Sequence, residues 1–294
     1  MSNYDYGDLL GSRSPAQIAA YLQEIGDDEE AAHFLGGAAG QSFGLETRPY
    51  ARTGMVLGYI SAQAGSTQVQ DISAVTGDAA LIGTQIKVTL DKFFVYKYPG
   101  WGTHTVLCEF NGKNQVAGET EELSFALRFD TRDGASPSIA GAPIFMGLTV
   151  GGNGISFKGR VVNVRNSTDD VVLATLDTPA FKHGLTLLST AQPALKPLAS
   201  LAAATVGAVM KRRQNALVHM FELGLDFRGS STSARLQHGS YVVVQSDAGS
   251  SWDWNDYEWN PGGMALHLKG QPTVPPDFNY MVVGVSPSSG AAQP

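Results

Sequence analysis

The residues most able to do chemistry are spread along the chain instead of being grouped in a recognised motif. Six histidines occur, and no two of them have the H-x-H or HExxH spacing that places two imidazoles on one metal ion. Cys108 is the only cysteine, so an intrachain disulfide and a thiolate metal cluster are both excluded. The glycine-rich segment 147–154 lacks the lysine of a phosphate-binding loop. The sequence therefore predicts no catalytic residues, no metal and no cofactor.

Aspartates on predicted loops are the candidates for a cation site. Asp130 and Asp133 follow a predicted strand, and Asp169 and Asp170 occupy a second predicted loop. Calcium takes six to eight oxygen ligands, so several of these carboxylates would have to converge at one end of a sheet. We favour solvated turns, because the sequence lacks dense runs of aspartate.

The segment 251–263 is the most unusual in the chain, because it holds three of the four tryptophans. Trp252, Trp254, Tyr257 and Trp259 are interspersed with polar and acidic residues. An extended segment would place Trp252 and Trp254 on one face and Tyr257 and Trp259 on the other, so one face cannot bury all four rings. The rings are candidates for a protein interface or for sugar stacking, and a hairpin that closes the core is the alternative.

Residues 198–213 form the one helix predicted within the strand-rich part of the chain. Ala199, Ala203 and Gly207 recur every four residues and form a small-residue stripe, which allows another backbone to approach closely. Three consecutive cations end the helix, where they complement its macrodipole. A membrane-active role for 184–213 is an alternative, although the segment lacks the aromatic anchors of an interfacial helix.

The charge balance bears on the class of partner. The formal net charge is −7, and the only dense basic cluster is Lys211-Arg212-Arg213, which argues against nucleic-acid binding. Residues 1–13 lack the apolar core of a signal peptide, and no window of 18 uncharged apolar residues predicts a membrane-spanning helix. We therefore expect a cytoplasmic protein, or a component of a virion or other particle.

Hydrophobic periodicity divides the chain into a helical beginning and a strand-rich body. Ser14 and Pro15 have the residue types that start a helix, and Gly26 can end it. A second short helix is predicted to end at Leu35. From about residue 55 apolar residues alternate with polar ones, which predicts roughly ten to twelve strands. Without a regular βαβ alternation, these patterns predict a mainly β fold: an antiparallel β-sandwich or a jelly-roll-like arrangement.

Local patterns add detail to this sandwich. Val171–Leu176 is predicted to be a strand, segment 147–154 a hairpin loop, and Phe93-Phe94 a β-bulge. Cys108 and His219 lie on the apolar faces of their strands, so both are predicted to be core residues.

These elements predict three parts: a helical arm or lid with a linker at 1–45, a β-sandwich domain at 46–286, and a flexible tail at 287–294. The leading hypothesis is a non-enzymatic structural or protein-interaction protein that binds itself or another protein through the arm and the Trp-rich segment. The alternatives are a membrane-active effector that uses 184–213, and a carbohydrate-binding or carbohydrate-hydrolysing protein.

Overall fold

The computed structural model describes residues 5–37, 47–116, 119–187, 193–227, 234–249 and 251–288, so the predicted linker after α2 and the tail beyond 288 lie outside the described residues. The helices are α1 (Pro15–Glu24), α2 (Asp28–Gly37), α3 (Asp170–Leu173), α4 (Pro179–His183) and α5 (Leu195–Met210). The strands are β1 (Gly54–Ser61), β2 (Gln70–Asp71), β3 (Gln85–Phe94), β4 (His104–Val116), β5 (Glu119–Thr131), β6 (Ala142–Thr149), β7 (Ile155–Val164), β8 (Leu185–Thr186), β9 (Ala216–Asp226), β10 (Ala234–Arg235), β11 (Gly239–Ser246), β12 (Tyr257–Asn260), β13 (Ala265–Leu268) and β14 (Tyr280–Pro287).

The fold is mainly β, as predicted. One sheet has seven strands in the order β2-β1-β11-β14-β3-β6-β8, and a second has five in the order β10-β9-β7-β4-β5. Neighbours pair antiparallel except for the short pairs β6–β8 and β9–β10, which are parallel. The β4–β5 hairpin lies in the five-stranded sheet, while the flanking strands β3 and β6 pair in the other sheet. This nested pairing is the jelly-roll-like feature of the sandwich.

Aromatic side chains from both sheets build the core between them. Phe125 of β5 lies 6.4 Å from Phe145 of β6, and Phe93 of β3 lies 4.9 Å from Phe129 of β5, measured between ring centroids. Phe125 and Phe129 follow the period-two pattern along β5, whereas Phe93 lies beyond a register shift in β3 and Phe145 is buried next to Ile144. The alternation therefore sorts the side chains between core and outer face, as the sequence predicts.

The two predicted core residues with reactive side chains are buried and inert. Cys108 is 1% exposed, and burial raises the pKa of its thiol far above the ordinary value. His219 is 5% exposed, and burial lowers its pKa to about 4, so its imidazole is neutral at neutral pH. Both predictions are confirmed.

The predicted N-terminal helices form and pack on the sandwich. Ser14 and Gln17 make a capping box in which each side chain bonds the other residue's backbone N–H, at 3.3 and 3.0 Å. Gly26 ends α1 with a φ of 81°, a conformation that glycine adopts without strain. Ile18 and Leu22 of α1 belong to the hydrophobic core that the two sheets share. The α1–α2 hairpin thus covers one part of the core.

The strand predicted at Val171–Leu176 is wrong, because this segment is helical. It forms most of α3 and a following 3-10 turn, Ala174–Leu176. Leu173 and Leu176 are buried three positions apart, whereas Val171 is 80% exposed. A spacing of three is helical, and the run of apolar residues in the sequence concealed it.

The hairpin loop predicted at 147–154 is also wrong. Segment 147–154 connects β6 in the seven-stranded sheet to β7 in the five-stranded sheet, and the two strands do not pair. Gly147 has a φ of 94°, and a Cβ there would lie 2.6 Å from the carbonyl oxygen of Leu187. Gly147 is still part of β6, where its backbone lies close to the segment after β8, and residues 150–154 make the crossing between the sheets.

The β-bulge predicted at Phe93-Phe94 and the helix predicted at 198–213 both occur, but each lies a few residues earlier in the chain than predicted. The register of β3 with β14 shifts around Asp91, two residues before the predicted bulge at Phe93-Phe94. Helix α5 begins and ends three residues earlier than the predicted 198–213. Segment 184–213 is not one helix, since Leu185–Thr186 forms β8, and α3 and α4 add two short helices to the single insertion predicted.

Candidate functional site

The Trp-rich segment packs on the outer face of the seven-stranded sheet. Trp254 and Trp259 are only 4% and 8% exposed, and Trp252 and Tyr257 are half-buried. A 3-10 turn at Trp254–Asp256 interrupts the extended backbone, so the expected division of the rings between two faces does not occur. The four rings join a second hydrophobic cluster, whose fully buried members are Ile60, Val69, Phe94, Val242, Val244, Trp254, Trp259, Leu266, Phe278, Tyr280 and Val282.

Contacts within this cluster are specific. The rings of Trp252 and Tyr257 stack at 5.2 Å with an interplanar angle of 13°. The indole N–H of Trp254 donates to the carbonyl oxygen of Leu57 over 3.1 Å. A Cβ at Gly58 would lie 2.6 Å from the Trp254 ring, so the indole sits directly on the backbone of β1. The predicted interaction residues of this segment therefore lie together, with their rings turned mainly towards the sheet.

The predicted small-residue stripe lies on the partly exposed side of α5. Ala199, Ala203 and Gly207 are half-buried, whereas the side of α5 that packs on the body carries residues such as Ala202 and Val206. A Cβ built at Gly207 meets no heavy atom of the described residues within 4 Å. The stripe is therefore open on its outer side.

The four aspartates proposed as calcium ligands bind different protein groups. Asp133 accepts hydrogen bonds from the backbone N–H of Tyr98 and from His104 Nε2, both at 2.9 Å. Asp130 accepts a hydrogen bond from Thr105, Asp169 contacts Asn215 and Arg212, and Asp170 lies 3.9 Å from Arg128. Across the described ranges, no three His, Cys, Asp or Glu side chains are grouped to hold a metal ion.

An ion-pair network fastens α2 to the sandwich. Glu30 is buried, and its carboxylate lies 2.7 Å from Lys97 Nζ, 2.9 Å from Arg48 Nε and 2.9 Å from the hydroxyl of Tyr50. Burial alone would raise the pKa of Glu30, but the bonds to Lys97 and Tyr50 and the charge of Arg48 outweigh it and hold that pKa below its usual value. An open pocket of about 470 Å³ adjoins this network, and its basic and acidic lining residues are nearly balanced.

A candidate site residue that the sequence analysis missed is Trp101. Its side chain is 71% exposed, on the loop between β3 and β4. The sequence signal was the run Pro99-Gly100-Trp101-Gly102, since a tryptophan between two glycines sits in a tight turn with little structure to cover it. Both glycines have positive φ, 86° at Gly100 and 84° at Gly102. The loop therefore presents the indole outwards.

Hydrogen bonds from distant parts of the chain hold this loop. Arg165 Nη1 donates to the carbonyl oxygens of Trp101 and Thr103 at 3.1 and 3.2 Å. The N–H of Gly100 donates to Asp27 Oδ2 at 2.9 Å. The indole N–H of Trp101 donates to the carbonyl oxygen of Gly26 at 3.4 Å, so the ring is fixed by its edge. The hairpin and β7 thus position an aromatic ring that is left mostly in solvent.

A groove of about 350 Å³ lies beside this ring. Val171, which follows the lining residue Asp170 in the chain, is 80% exposed. The groove combines one aromatic wall with hydroxyl, amide, carboxylate and guanidinium groups, so it can stack a ring and form hydrogen bonds at once. Its lining residues are Trp101, Gly102, Thr103, Thr105, Val164, Arg165, Asn166 and Asp170.

A nucleophile pattern was also overlooked. Gly40-Gln41-Ser42-Phe43-Gly44 matches G-x-S-x-G, in which a serine acts as nucleophile on a sharp turn from a strand to a helix. These residues lie outside the described residues. The described element that comes before them in the chain is helix α2.

No helix in the described ranges is long and apolar enough to cross a membrane. Comparison with protein-family models, with curated proteins and with solved structures finds no match to this chain.

Proposed function

We propose that this chain is a non-enzymatic structural protein that assembles with copies of itself by docking α2 of one copy on α5 of the next. The observation that carries the proposal is a separation of charge along the chain. Residues 178–221 contain five lysines and arginines and no aspartate or glutamate. The rest of the chain has fifteen basic against twenty-seven acidic residues, a net charge of −12. Opposite patches of this kind steer two copies into one orientation.

The outer face of α5 supplies the basic patch. Lys196 and Lys211 are exposed near its two ends, and Arg213 lies exposed just beyond. Between the two lysines, the exposed positions Pro197, Ser200 and Ala204 are uncharged, and Ser200 and Ala204 are small. The helix has 16 residues and is about 24 Å long at 1.5 Å per residue. A partner helix can therefore approach closely along a smooth surface that has cations near its ends.

The outer face of α2 complements this patch. Asp28 and Glu29 are exposed at its start, and Leu35 is 46% exposed seven residues after Asp28. On α5, Ala204 lies seven residues before Lys211, so both spacings are about 10 Å along the helix axis. If the helices pack antiparallel, the acids of α2 meet the basic end of α5 while Leu35 meets Ala204. Antiparallel macrodipoles also attract each other.

The geometry of such a contact determines the assembly. The surfaces on the two copies differ, so each copy keeps one free α2 and one free α5 until a ring closes or a filament grows. A short helix on a longer one makes a small interface, which places the expected dissociation constant at about 10–100 μM. A component of a virion or another particle would form contacts of this kind at high local concentration.

An anionic membrane is the other partner that the five cations could attract. Besides Lys196, the exposed positions of α5 carry Pro197, Ser200 and Ala204, which bury little apolar area when a helix enters the headgroup region. A helical partner uses the same small residues better, because close backbone approach increases van der Waals contact. The observations therefore favour a second copy over lipid.

Charge exchange tests the proposal. We expect the wild-type protein to show a concentration-dependent mass by light scattering, and the mass to fall as salt rises, since screening weakens the patches. The double variants Lys211→Glu/Arg213→Glu and Asp28→Lys/Glu29→Lys should each be monomeric. Placing all four substitutions in one chain should restore assembly, because both patches then change sign together.

A matched control reverses two exposed lysines outside the patch, Lys113 and Lys158, to glutamate. This control should assemble like the wild type. A wild-type protein that stays monomeric up to about 100 μM, or a fourfold variant that stays monomeric while the two double variants fold, would contradict the proposal. Flotation with phosphatidylserine vesicles is the lipid arm, and binding there without self-association would assign α5 to a membrane surface instead.

A further inference from the structure

The exposed indole of Trp101 is held in one orientation before any ligand arrives. Its loop is bonded by Arg165 and Asp27, and its indole N–H is bonded to Gly26, yet 71% of its side chain remains exposed. None of these bonds buries the faces of the ring. Binding to a ring that is already fixed loses little conformational entropy, which is the advantage of a preorganised site.

The groove beside the ring has the polarity of a saccharide site. Thr103 and Thr105 offer hydroxyl groups, Asn166 an amide and Asp170 a carboxylate that lies 3.9 Å from its nearest cation. Val164 is the only aliphatic residue in the lining with a branched side chain. Protein-interface anchors fill well-packed apolar pockets, whereas a sugar offers many hydroxyls and one flat patch of C–H groups. The slightly positive C–H groups are attracted to the negative face of an indole.

The charges of the groove point to an uncharged sugar. Arg165 directs Nη1 at two backbone carbonyl oxygens, so part of its hydrogen-bonding capacity is already used within the loop. Asp170 is exposed in the lining, and Asp130 bonds to Thr105, which also lines the groove. These carboxylates would repel a sulfated or uronic acid sugar. We propose that the groove binds a neutral saccharide, with Trp101 stacked on the C–H face of a pyranose and Asp170 accepting bonds from its hydroxyls.

The groove and the proposed self-assembly surface share no residue, because α5 and the exposed face of α2 contribute none to the lining. A glycan array identifies the preferred sugar, and titration with cellotetraose, whose equatorial hydroxyls leave flat C–H faces, measures binding by calorimetry and by the indole ¹H–¹⁵N signals. Trp101 is the exposed tryptophan of the described residues, so bound sugar should shift its signal and protect it from iodide quenching.

Three variants define the expected result. Trp101→Ala should weaken binding at least about tenfold, Trp101→Phe should keep part of the affinity, and Asp170→Asn should weaken it about threefold. All three substitutions lie at the two exposed positions Trp101 and Asp170, so the melting temperature should stay unchanged. Ile82→Ala, at a 44% exposed apolar side chain outside the groove, is the matched control and should bind like the wild type.

Two outcomes would overturn the proposal. One is that no neutral glycan of the array binds, or that Trp101→Ala binds as the wild type does. The other is that Trp101→Ala lowers the assembled mass in light scattering while no sugar binds, which would make Trp101 part of a protein interface. Monomeric charge-reversal variants that still bind sugar would separate this site from the self-assembly surface and support it.

Discussion

Replacing the buried Trp254 by alanine should lower the free energy of unfolding more than the same substitution at the exposed Trp101. Trp254 is 4% exposed and lies between β1 and the β12–β13 hairpin, where its indole N–H bonds to the carbonyl oxygen of Leu57. Removing the ring leaves a cavity beneath the hairpin and takes away that bond. We therefore expect the loss to appear as lower stability of the whole chain.

The expected loss of stability follows from the area that the Trp254 ring buries and from its hydrogen bond. A tryptophan buries roughly 150–250 Å², which at about 25 cal/mol/Å² corresponds to about 4–6 kcal/mol. Measured Trp→Ala changes in cores fall at about 3–5 kcal/mol, and a lost hydrogen bond adds about 1 kcal/mol. We expect about 4 kcal/mol, which for a chain of this size lowers the melting temperature by about 10 °C.

Urea unfolding followed by far-UV circular dichroism measures this change without depending on tryptophan fluorescence. Trp101→Ala is the matched control, because the same substitution at a 71% exposed residue should change the free energy of unfolding by less than about 0.5 kcal/mol. Equal effects at the two positions would refute the assignment of Trp254 to a core.

A second substitution checks the contact itself. A Cβ at Gly58 would lie 2.6 Å from the Trp254 ring, so Gly58→Ala alone should destabilise the fold by about 1–3 kcal/mol through overpacking. In the Trp254→Ala background the added methyl occupies part of the vacated space. The double variant should therefore lose less stability than the two single changes together, and strict additivity would mean that the ring and β1 are not in contact.

Two further predictions concern buried charge. Glu109 and Arg160 form an ion pair on the adjacent strands β4 and β7, and the carboxylate is fully buried. Arg160→Met leaves that charge without its partner and should lower the free energy of unfolding by about 3–5 kcal/mol. Urea titrations should show that the double variant Glu109→Leu/Arg160→Met recovers most of this loss. The pKa of Glu30 is lower in the folded protein than in the unfolded chain, where it is about 4.3. The ion pairs of Glu30 therefore stabilise the fold fully above the unfolded pKa. This stabilisation is lost as the pH falls through the folded pKa. Stability measured between pH 6 and pH 3 should fall more steeply for the wild type than for Glu30→Gln, and parallel curves would contradict the role of Glu30.

The sequence predicted the sandwich because its long strands obey one rule. In β5, Leu123, Phe125, Leu127 and Phe129 recur every two residues and belong to or pack against the shared core, so the period of two identified the strand, although Ser124 and Ala126 between them are buried as well. The same reasoning failed at Val171–Leu176, where a short apolar run carries too few residues to distinguish a period of two from a period of three. The sequence also does not reveal which strands pair. Segment 147–154 resembles a hairpin loop, yet it leads from one sheet to the other.

The positions of the tryptophans show that a high density of aromatic residues in one stretch of sequence does not by itself identify a binding site. Three of them are close in sequence and pack together over the sheet, because a 3-10 turn at 254–256 gathers rings that an extended chain would separate. Trp101 is alone in sequence, and its exposure depends on flanking glycines that a local reading can find. The partners that fix it are Gly26, Asp27 and Arg165, each more than 60 residues away. Sequence could therefore have found the ring but not the groove.

The two proposed surfaces share the α1–α2 hairpin. Its inner side holds the Trp101 loop through Gly26 and Asp27 and bonds Lys97 through Glu30, while its outer side carries the acidic face of α2. A second copy bound to α2 would stabilise the docked hairpin, and sugar bound to Trp101 would stabilise the loop that the hairpin supports. Effects that act through one element are reciprocal, so each ligand should raise the affinity for the other by the same factor. If both proposals hold, the hairpin is the part of the fold that connects assembly with sugar binding.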